Sequence, residues 1–179
     1  MFSPEESVLL IIDVQGKLAQ LMYRKEEMFL NLTRLVQAVD QLDIPILYTE
    51  QVSEKLGSTI PAITDLLKKV QPIPKASLSC WGEEKFVQAL RRLQRSLIIV
   101  AGIETHICVY QTVVDLIGQK YDVQVVCDAV SSRTVENKQI GLERIRLAGG
   151  VMTSTEMILC ELIKTARHPK FKEIMGLIK

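Results

Sequence analysis

The sequence predicts a protein of the α/β class, with three layers in which helices cover both faces of a six-stranded, mainly parallel, doubly wound sheet. Two observations predict this fold. Apolar runs rich in β-branched residues alternate about six times with segments whose apolar residues recur at helical spacing. The runs are continuous, which is typical of strands buried on both faces of a parallel sheet. The length of 179 residues, 47% of them hydrophobic, suits a single domain over residues 1–179 with a full core.

The first half of the chain supplies three of the predicted strands. Residues 8–12 form a solid apolar run, and residues 44–49 form a second run that tolerates a proline at its start. Two prolines favour an extended edge strand within 71–77, because they are incompatible with a helix. The polar segment 51–58 is predicted to be a loop. Helices are predicted at 25–42, 60–70 and 83–94.

The second half supplies the other three strands, predicted at 97–103, 123–127 and 151–153. The last helix carries an apolar stripe that could form a subunit contact or pack against its own domain; its residues are Phe171, Ile174, Met175, Leu177 and Ile178. Helices are predicted from about residue 108, over 136–148, over 154–164 and after residue 169.

Composition excludes several classes of partner. The 22 basic and 21 acidic residues give a net charge of +1, so we expect no nucleic-acid partner. Apolar runs stay below transmembrane length, so we expect no membrane partner. The acidic segment Met1–Ser7 lacks the basic start of a signal peptide, which favours a cytoplasmic location. A small-molecule substrate is the remaining expectation.

The four cysteines have no Cys-x-x-Cys spacing, so free thiols are expected. Cys108 follows a buried strand and a glycine, where a helix begins. Amide dipoles at a helix N-terminus favour the thiolate, and sites in open α/β sheets form at the carboxyl ends of strands. A lone cysteine is, however, more often a small buried hydrophobe. Cys80 is a competing thiol without this setting, whereas Cys127 and Cys160 are expected in the core.

Two further reactive side chains fall at predicted strand ends, namely Asp13 and Lys75. Taken singly, Asp13 could cap a helix and Lys75 could be an ordinary solvated lysine. Together with Cys108 they place an acid, a cation and a thiol at the same edge of the predicted sheet. Histidine is the commonest base for a cysteine, but His106 lies two residues from Cys108, on a different side of a helix, and His168 lies in a surface turn.

Asp13 is therefore the best-placed base. Its ordinary pKa, about 4, lies far below that of a thiol, about 8.5. Burial has to raise the first pKa, and the Lys75 ammonium is expected to lower the second. No metal and no cofactor are expected, because the chain has neither a histidine-rich ligand set, nor G-x-G-x-x-G, nor a Walker A lysine.

Three motifs resemble the isochorismatase-like cysteine hydrolases: Ile-Ile-Asp-Val-Gln at 11–15, Pro-Lys-Ala-Ser at 74–77 and Gly-Ile-Glu-Thr-His-Ile-Cys-Val at 102–109. Segments 49–51, 128–133 and 168–174 look most like the isochorismatase-domain-containing subgroup, whose natural substrates are generally unassigned. The resemblance runs through essentially the whole chain. It implies a Rossmann-like topology and a homo-oligomer, commonly a dimer or tetramer.

The resemblance also implies roles. Cys108 is the nucleophile, Asp13 accepts its proton and returns it to the leaving group, and Lys75 stabilises the thiolate. A cis peptide bond precedes Glu104, and the backbone amides of Glu104 and Cys108 form the oxyanion hole. Members that hydrolyse isochorismate lack the cysteine, which argues against that reaction here. The metal ligands of the nicotinamidase branch are also absent from the loop at 50–54.

Three residues are candidates for the substrate pocket: Gln51, Trp81 and Thr105. Trp81 could line the pocket or anchor the following helix. Arg133 could bind a substrate carboxylate, although a structural acid is the favoured partner. The sequence thus predicts a cofactor-independent cysteine hydrolase of a small molecule, with an amide as the favoured substrate. The alternative is a catalytically silent binding or scaffold protein that retains the fold.

Overall fold

A computed structural model describes residues 3–178, so Met1, Phe2 and Lys179 lie outside the described residues and the acidic start is seen only from Ser3. Six strands within this range form one sheet. They are β1 (Ser7–Ile12), β2 (Ile46–Gln51), β3 (Ile73–Lys75), β4 (Leu97–Ile103), β5 (Asp122–Ser131) and β6 (Val151–Thr153). Their order is β3-β2-β1-β4-β5-β6, and every neighbouring pair is parallel. The predicted doubly wound sheet is confirmed, and it is entirely rather than mainly parallel.

The α-helices of the described chain are α1 (Gly16–Gln20), α2 (Lys25–Gln41), α3 (Ser53–Leu56), α4 (Pro61–Thr64), α5 (Glu84–Arg92), α6 (Tyr110–Gly118), α7 (Val135–Leu147), α8 (Thr155–Ile163) and α9 (Phe171–Ile178). The long predicted helices are confirmed to within a few residues. Two details differ. The helix expected over 60–70 is only the single turn α4, and the predicted loop at 51–58 contains the turn α3. Both are too short to show a helical period in the sequence.

Helices cover both faces of the sheet, which makes the three predicted layers. Along β1, Leu9 and Ile11 face a core built with α2, α8 and α9. Val8, Leu10 and Ile12 face a second core, to which α5, α6 and α7 contribute. Every residue of β1 is buried, because neither face of the strand meets water. This explains why the strand is apolar at successive positions rather than at alternate ones.

Strands β1 and β4 lie at the centre of the sheet, where the chain switches from one half to the other. Their closest approach is at Gly102, whose φ is +117°. A Cβ atom at that position would lie 2.2 Å from the carbonyl oxygen of Ile12. Only glycine tolerates both the backbone conformation and the contact. In parallel sheets of this topology, ligands bind where the strand order reverses, at the carboxyl ends of the strands.

The C-terminal helix α9 packs against its own domain. Ile174 is completely buried, and the partly buried Phe171, Met175, Leu177 and Ile178 contact the core on the α2 face. Between the two alternatives for this stripe, the structure therefore shows the intramolecular one. No helix within residues 3–178 combines the length and the apolar character needed to cross a membrane.

Candidate active site

The carboxyl edge of the sheet gathers the three reactive side chains. Asp13 follows the last residue of β1 and has a left-handed backbone, with φ at +51°. Lys75 is the last residue of β3. Cys108 lies in a π-helical turn, Thr105–Val109, that joins β4 to α6. The parallel register brings these ends together, although the three residues are far apart in sequence.

Lys75 and Asp13 form a buried ion pair. The Lys75 Nζ lies 2.7 Å from Asp13 Oδ2, and the two side chains are 0% and 3% exposed. The ammonium also donates hydrogen bonds to Gln51 Oε1 and to the carbonyl oxygens of Ser77 and Leu78, at 3.0 and 3.1 Å for the last two. These partners hold the ammonium in place and satisfy its donors.

The Asp13 carboxylate has two further neighbours. Thr49 Oγ1 donates to Asp13 Oδ1 over 2.7 Å, and the thiol of Cys108 lies close enough for each group to shift the pKa of the other. Thr49 in turn accepts a weak hydrogen bond from the Cys80 thiol, at 3.8 Å. Asp13 is thus held between a fixed hydroxyl, a fixed ammonium and the candidate nucleophile.

Burial dominates the pKa values of the site. It raises the pKa of Asp13 above its ordinary 3.8, and the neighbouring Lys75 ammonium offsets only part of this effect. Burial lowers the pKa of Lys75, but the negative charges available at Asp13 and Cys108 outweigh it, so that pKa is raised above 10.5. Burial together with the Asp13 charge raises the pKa of Cys108 to about 12, against the influence of Lys75.

The pKa of the Cys108 thiol is therefore raised overall, although the sequence led us to expect it to be lowered. Lys75 does act in the predicted direction, but burial and Asp13 act more strongly in the other. The site thus combines the Lys75–Asp13 ion pair with a thiol whose pKa is raised, and Asp13 and Cys108 line the same cavity.

A cavity of about 160 Å³ opens beside the Cys108 thiol. Besides Cys108, its walls combine three polar side chains with five aliphatic ones; they are Asp13, Gln51, Glu104, Leu18, Leu56, Leu78, Ile103 and Ile107. A larger and more open cavity of about 500 Å³ is lined in part by Pro74, Lys75 and Ala76. The smaller cavity is the one that Cys108 lines.

The predicted pocket residues have different positions. Gln51 lines the cavity and accepts a hydrogen bond from Lys75, whereas Thr105 is completely buried and does not line the cavity. Trp81 does not line the cavity: it packs edge-on against Tyr121, with Arg91 of α5 stacked over its ring. The structure therefore places Trp81 as an anchor of α5, which was one of its two expected roles.

Arg133 has a structural acid as its partner. Its Nε lies 3.2 Å from Glu104 Oε1, which also accepts a hydrogen bond from the Arg133 backbone N–H. His106 is not oriented as a base for Cys108, because its Nδ1 lies 2.9 Å from the hydroxyl of Ser132. The peptide bond between Ile103 and Glu104 is cis, as the resemblance implies.

The aliphatic wall was not predicted from the sequence. Leu18 and Leu56 lie on the short helices α1 and α3, which leave no periodic signal, and Leu78 lies in the loop after β3. Only Ile103 and Ile107 lie within a motif, the one at 102–109. The available signal was that a residue follows closely after the end of a strand. This signal does not distinguish the residues that line the cavity from those next to them in sequence.

The other thiols differ from expectation. Cys80 is completely buried beside the site, where burial raises its pKa to about 11. Cys127 is half-buried, and Cys160 is exposed, so the core placement predicted for Cys160 is wrong. Cys160 lies on the solvent-exposed face of the amphipathic helix α8, so its apolar character did not indicate its position. In residues 3–178, no group of three or more His, Cys, Asp or Glu side chains is arranged to hold a metal ion.

The fold and the site together define an α/β protein with a hydrolase fold, whose polar cluster lies at the switch point of a 3-2-1-4-5-6 sheet. The chain belongs to the isochorismatase family, since the model of the isochorismatase domain matches residues 7–157. That match includes all three reactive side chains.

Named relatives cover nearly the whole chain. A secreted isochorismatase effector, Isc1, of Phytophthora sojae is 36% identical over 98% of this chain and 86% of its own. An isochorismatase domain-containing protein 2 of Xenopus laevis is also 36% identical, over 96% and 83%. Among solved structures, the MAR1 ribonuclease of Caenorhabditis elegans is 32% identical, with a TM-score of 0.93 over 99% of this chain and 91% of its own.

Proposed function

We propose that this protein is a cysteine hydrolase that cleaves the carbon–nitrogen bond of a small amide without a cofactor. The observation that carries the proposal is that Cys108 and Asp13 line one cavity, where the Asp13 carboxylate is paired with the buried ammonium of Lys75. A nucleophile, a proton acceptor and a fixed positive charge are the parts that acyl transfer requires.

In the first half of the proposed reaction, the Cys108 sulfur attacks the amide carbonyl carbon as its proton passes to Asp13. The oxygen becomes an oxyanion, bound by the backbone N–H groups of Glu104 and Cys108. Asp13 then gives the proton to the nitrogen, the carbon–nitrogen bond breaks, and ammonia or an amine leaves. A thioester remains on Cys108.

In the second half, Asp13 removes a proton from water, which attacks the thioester carbonyl. The carbon–sulfur bond breaks, a carboxylic acid leaves, and the proton returns to Cys108. The net reaction is amide plus water to acid plus amine. Lys75 stays protonated throughout, since its pKa is raised, and its charge compensates first Asp13 and then the sulfur as the proton moves between them.

The test is a panel of small primary amides, with ammonia release measured for the natural protein and for Cys108→Ala. Cys160→Ala is the matched control, because it removes a thiol that is exposed to solvent. We expect turnover that Cys108→Ala abolishes and Cys160→Ala preserves, together with an acyl adduct on the Cys108 peptide in mass spectra. The activity should persist in a chelator. Turnover that survives Cys108→Ala would contradict the proposal.

The same panel separates the alternatives. A silent scaffold would bind ligands without consuming any of them, with an unmodified Cys108. A relative of similar sequence is described as a ribonuclease, so an RNA oligonucleotide is included as a substrate. We expect no cleavage of RNA, because a cavity of about 160 Å³ admits only a small part of a nucleotide to the thiol. RNA cleavage that depends on Cys108 would replace the amidase proposal.

A cytoplasmic location and a dimer or tetramer remain predictions. One relative is a secreted effector by its description, so location is best tested by fractionation of the source cells. Light scattering on the purified protein measures the oligomeric state directly.

A further inference from the structure

Resting on the proposed function, we infer that the substrate is an uncharged amide with a short, branched aliphatic acyl group, and that the cavity excludes acids. The inference starts from the charges on the cavity wall. The two ionisable groups other than Cys108 that line it, Asp13 and Glu104, are both carboxylates. Their cationic partners, Lys75 and Arg133, do not line it.

Neither cation offers a free donor on the wall of the cavity. The Lys75 ammonium is completely buried, and four acceptors surround its three hydrogens. Arg133 is paired with Glu104 through its Nε, and the guanidinium extends towards solvent, with a side chain that is 54% exposed. An anionic substrate would lose its hydration on entering the cavity, where two carboxylates repel it and no cation pairs with it. Burying an unpaired charge in this way is costly in free energy.

The rest of the wall recognises an aliphatic group. Five aliphatic side chains line it, of which Leu78 is half-exposed and Ile103 is completely buried; the other three are Leu18, Leu56 and Ile107. Both polar atoms of the Gln51 side chain already have hydrogen-bond partners: Oε1 accepts from Lys75, and Nε2 donates to the carbonyl oxygen of Ala76. The wall therefore offers few polar groups to the acyl chain.

The size of the cavity limits the acyl group. A cavity of about 160 Å³ is close to the engineered apolar cavity of about 150 Å³ that accommodates benzene. Acyl groups of four or five carbons are about this large. Aromatic double rings and long chains exceed it.

Two probes of matched shape test the inference: 3-methylbutanamide, which is neutral, and malonamate, in which two carboxylate oxygens replace its two terminal methyl groups. We expect kcat/KM to favour 3-methylbutanamide by roughly 100-fold or more, since the carboxylate loses its hydration without gaining a partner. Equal values, or a preference for malonamate, would overturn the inference while leaving the proposed hydrolase intact.

Two variants test whether the charge of the cavity wall causes the preference for the neutral amide. Leu78→Arg adds a cation at the rim, where the leucine is 46% exposed, and should raise kcat/KM for malonamate about fivefold, as expected for one charge pair near water. The matched control is Leu147→Arg, on an exposed position of α7, which should change nothing. Arg133→Gln should not reduce the use of malonamate. A selective loss with that variant would show that Arg133 binds acids and would overturn the inference.

A binding measurement that does not depend on turnover distinguishes a wrong ligand class from a wrong proposed reaction. The same two amides are added to Cys108→Ala, and contact with the protein is measured by saturation-transfer NMR. If the natural protein hydrolyses neither amide but the variant binds only 3-methylbutanamide, the proposed reaction fails and the ligand class is supported. If the variant binds neither probe, or binds malonamate as well, the ligand class is wrong.

Discussion

The ammonium of Lys75 lies 2.7 Å from Oδ2 of Asp13, and neither side chain has appreciable contact with water. Each charge is tolerated in the interior because the other is present. Cys108 lies within the influence of both charges, and they act on its pKa in opposite directions. Substitutions that change one charge should therefore affect stability, turnover and thiol reactivity in different ways.

Lys75→Met should strongly destabilise the folded protein, because it leaves the Asp13 carboxylate buried without a counter-charge. We expect a loss of about 3–5 kcal/mol in the free energy of unfolding at neutral pH, measured by urea denaturation. Asp13→Asn in the same chain should restore much of that loss, since no buried charge remains. Equal losses in the single and double variants would show that the ion pair does not behave as one unit.

The loss in Lys75→Met should also depend on pH in a defined direction. Burial already raises the pKa of Asp13, and removing the ammonium raises it further. Because the penalty belongs to the charged form, it should shrink as the pH falls through that raised pKa. A penalty that does not diminish at any pH below neutral at which the natural protein stays folded would contradict this explanation.

Asp13→Asn should have opposite effects on turnover and on the reactivity of Cys108. Turnover loses its proton acceptor, and we expect kcat to fall roughly 100- to 10,000-fold. The Asp13 charge is, however, one reason why the pKa of Cys108 is raised to about 12. Without it, Lys75 is free to pair with sulfur, so the thiolate fraction at a given pH should increase about tenfold for each unit by which the pKa falls.

Iodoacetamide labelling followed by peptide mapping measures this second effect. In the natural protein, exposed Cys160 should be labelled before Cys108, since burial both shields Cys108 and keeps it protonated. In Asp13→Asn, labelling of Cys108 should accelerate while Cys160 in the same digest stays constant, which provides an internal control. A slower reaction at Cys108 would mean that Asp13 activates the resting thiol.

The pH profile of kcat/KM for a neutral amide should be broad, with no ascending limb near pH 8.5, the ordinary pKa of a thiol. Activity requires an ionised Asp13, so it should fall at acid pH, through a pKa above 3.8. It also requires a protonated Lys75, so the alkaline fall should lie above pH 10.5. Circular dichroism over the same range controls for unfolding. An ascending limb near 8.5 would indicate that a pre-formed thiolate is the active species.

Much of the fold was predictable because the central strands β1 and β4 are buried on both faces and consist largely of contiguous apolar residues. The short helices α3 and α4 were not, because four residues cannot display a period of 3.6. Strand order was not predictable from pattern alone, but it follows the doubly wound rule once the strands are known to be parallel.

The reactive groups of the site were predictable, whereas their charge states were not. Asp13, Lys75 and Cys108 lie at strand ends, and chain topology brings strand ends together. The pKa of Cys108 depends instead on how completely the site is buried and on which charge lies closer, and neither is visible in the sequence. The prediction that Cys160 is buried was wrong for a similar reason, because its exposure depends on which face of α8 packs against the core.

Gly102→Ala should destabilise the protein far more than a glycine substitution in a helix, although both add one methyl group. At Gly102 the new Cβ would lie 2.2 Å from the Ile12 carbonyl oxygen, on a backbone with φ at +117°. Strands β1 and β4 would have to separate beside Asp13, so we expect a loss of about 3 kcal/mol or more in urea denaturation, or an insoluble product. Gly118→Ala is the matched control, because nothing lies within 4 Å of its new Cβ and the residue ends helix α6. There we expect a change within about 1 kcal/mol, with stabilisation as the favoured sign. Similar losses for the two variants would show that the close approach of β1 and β4 is not what requires glycine at position 102.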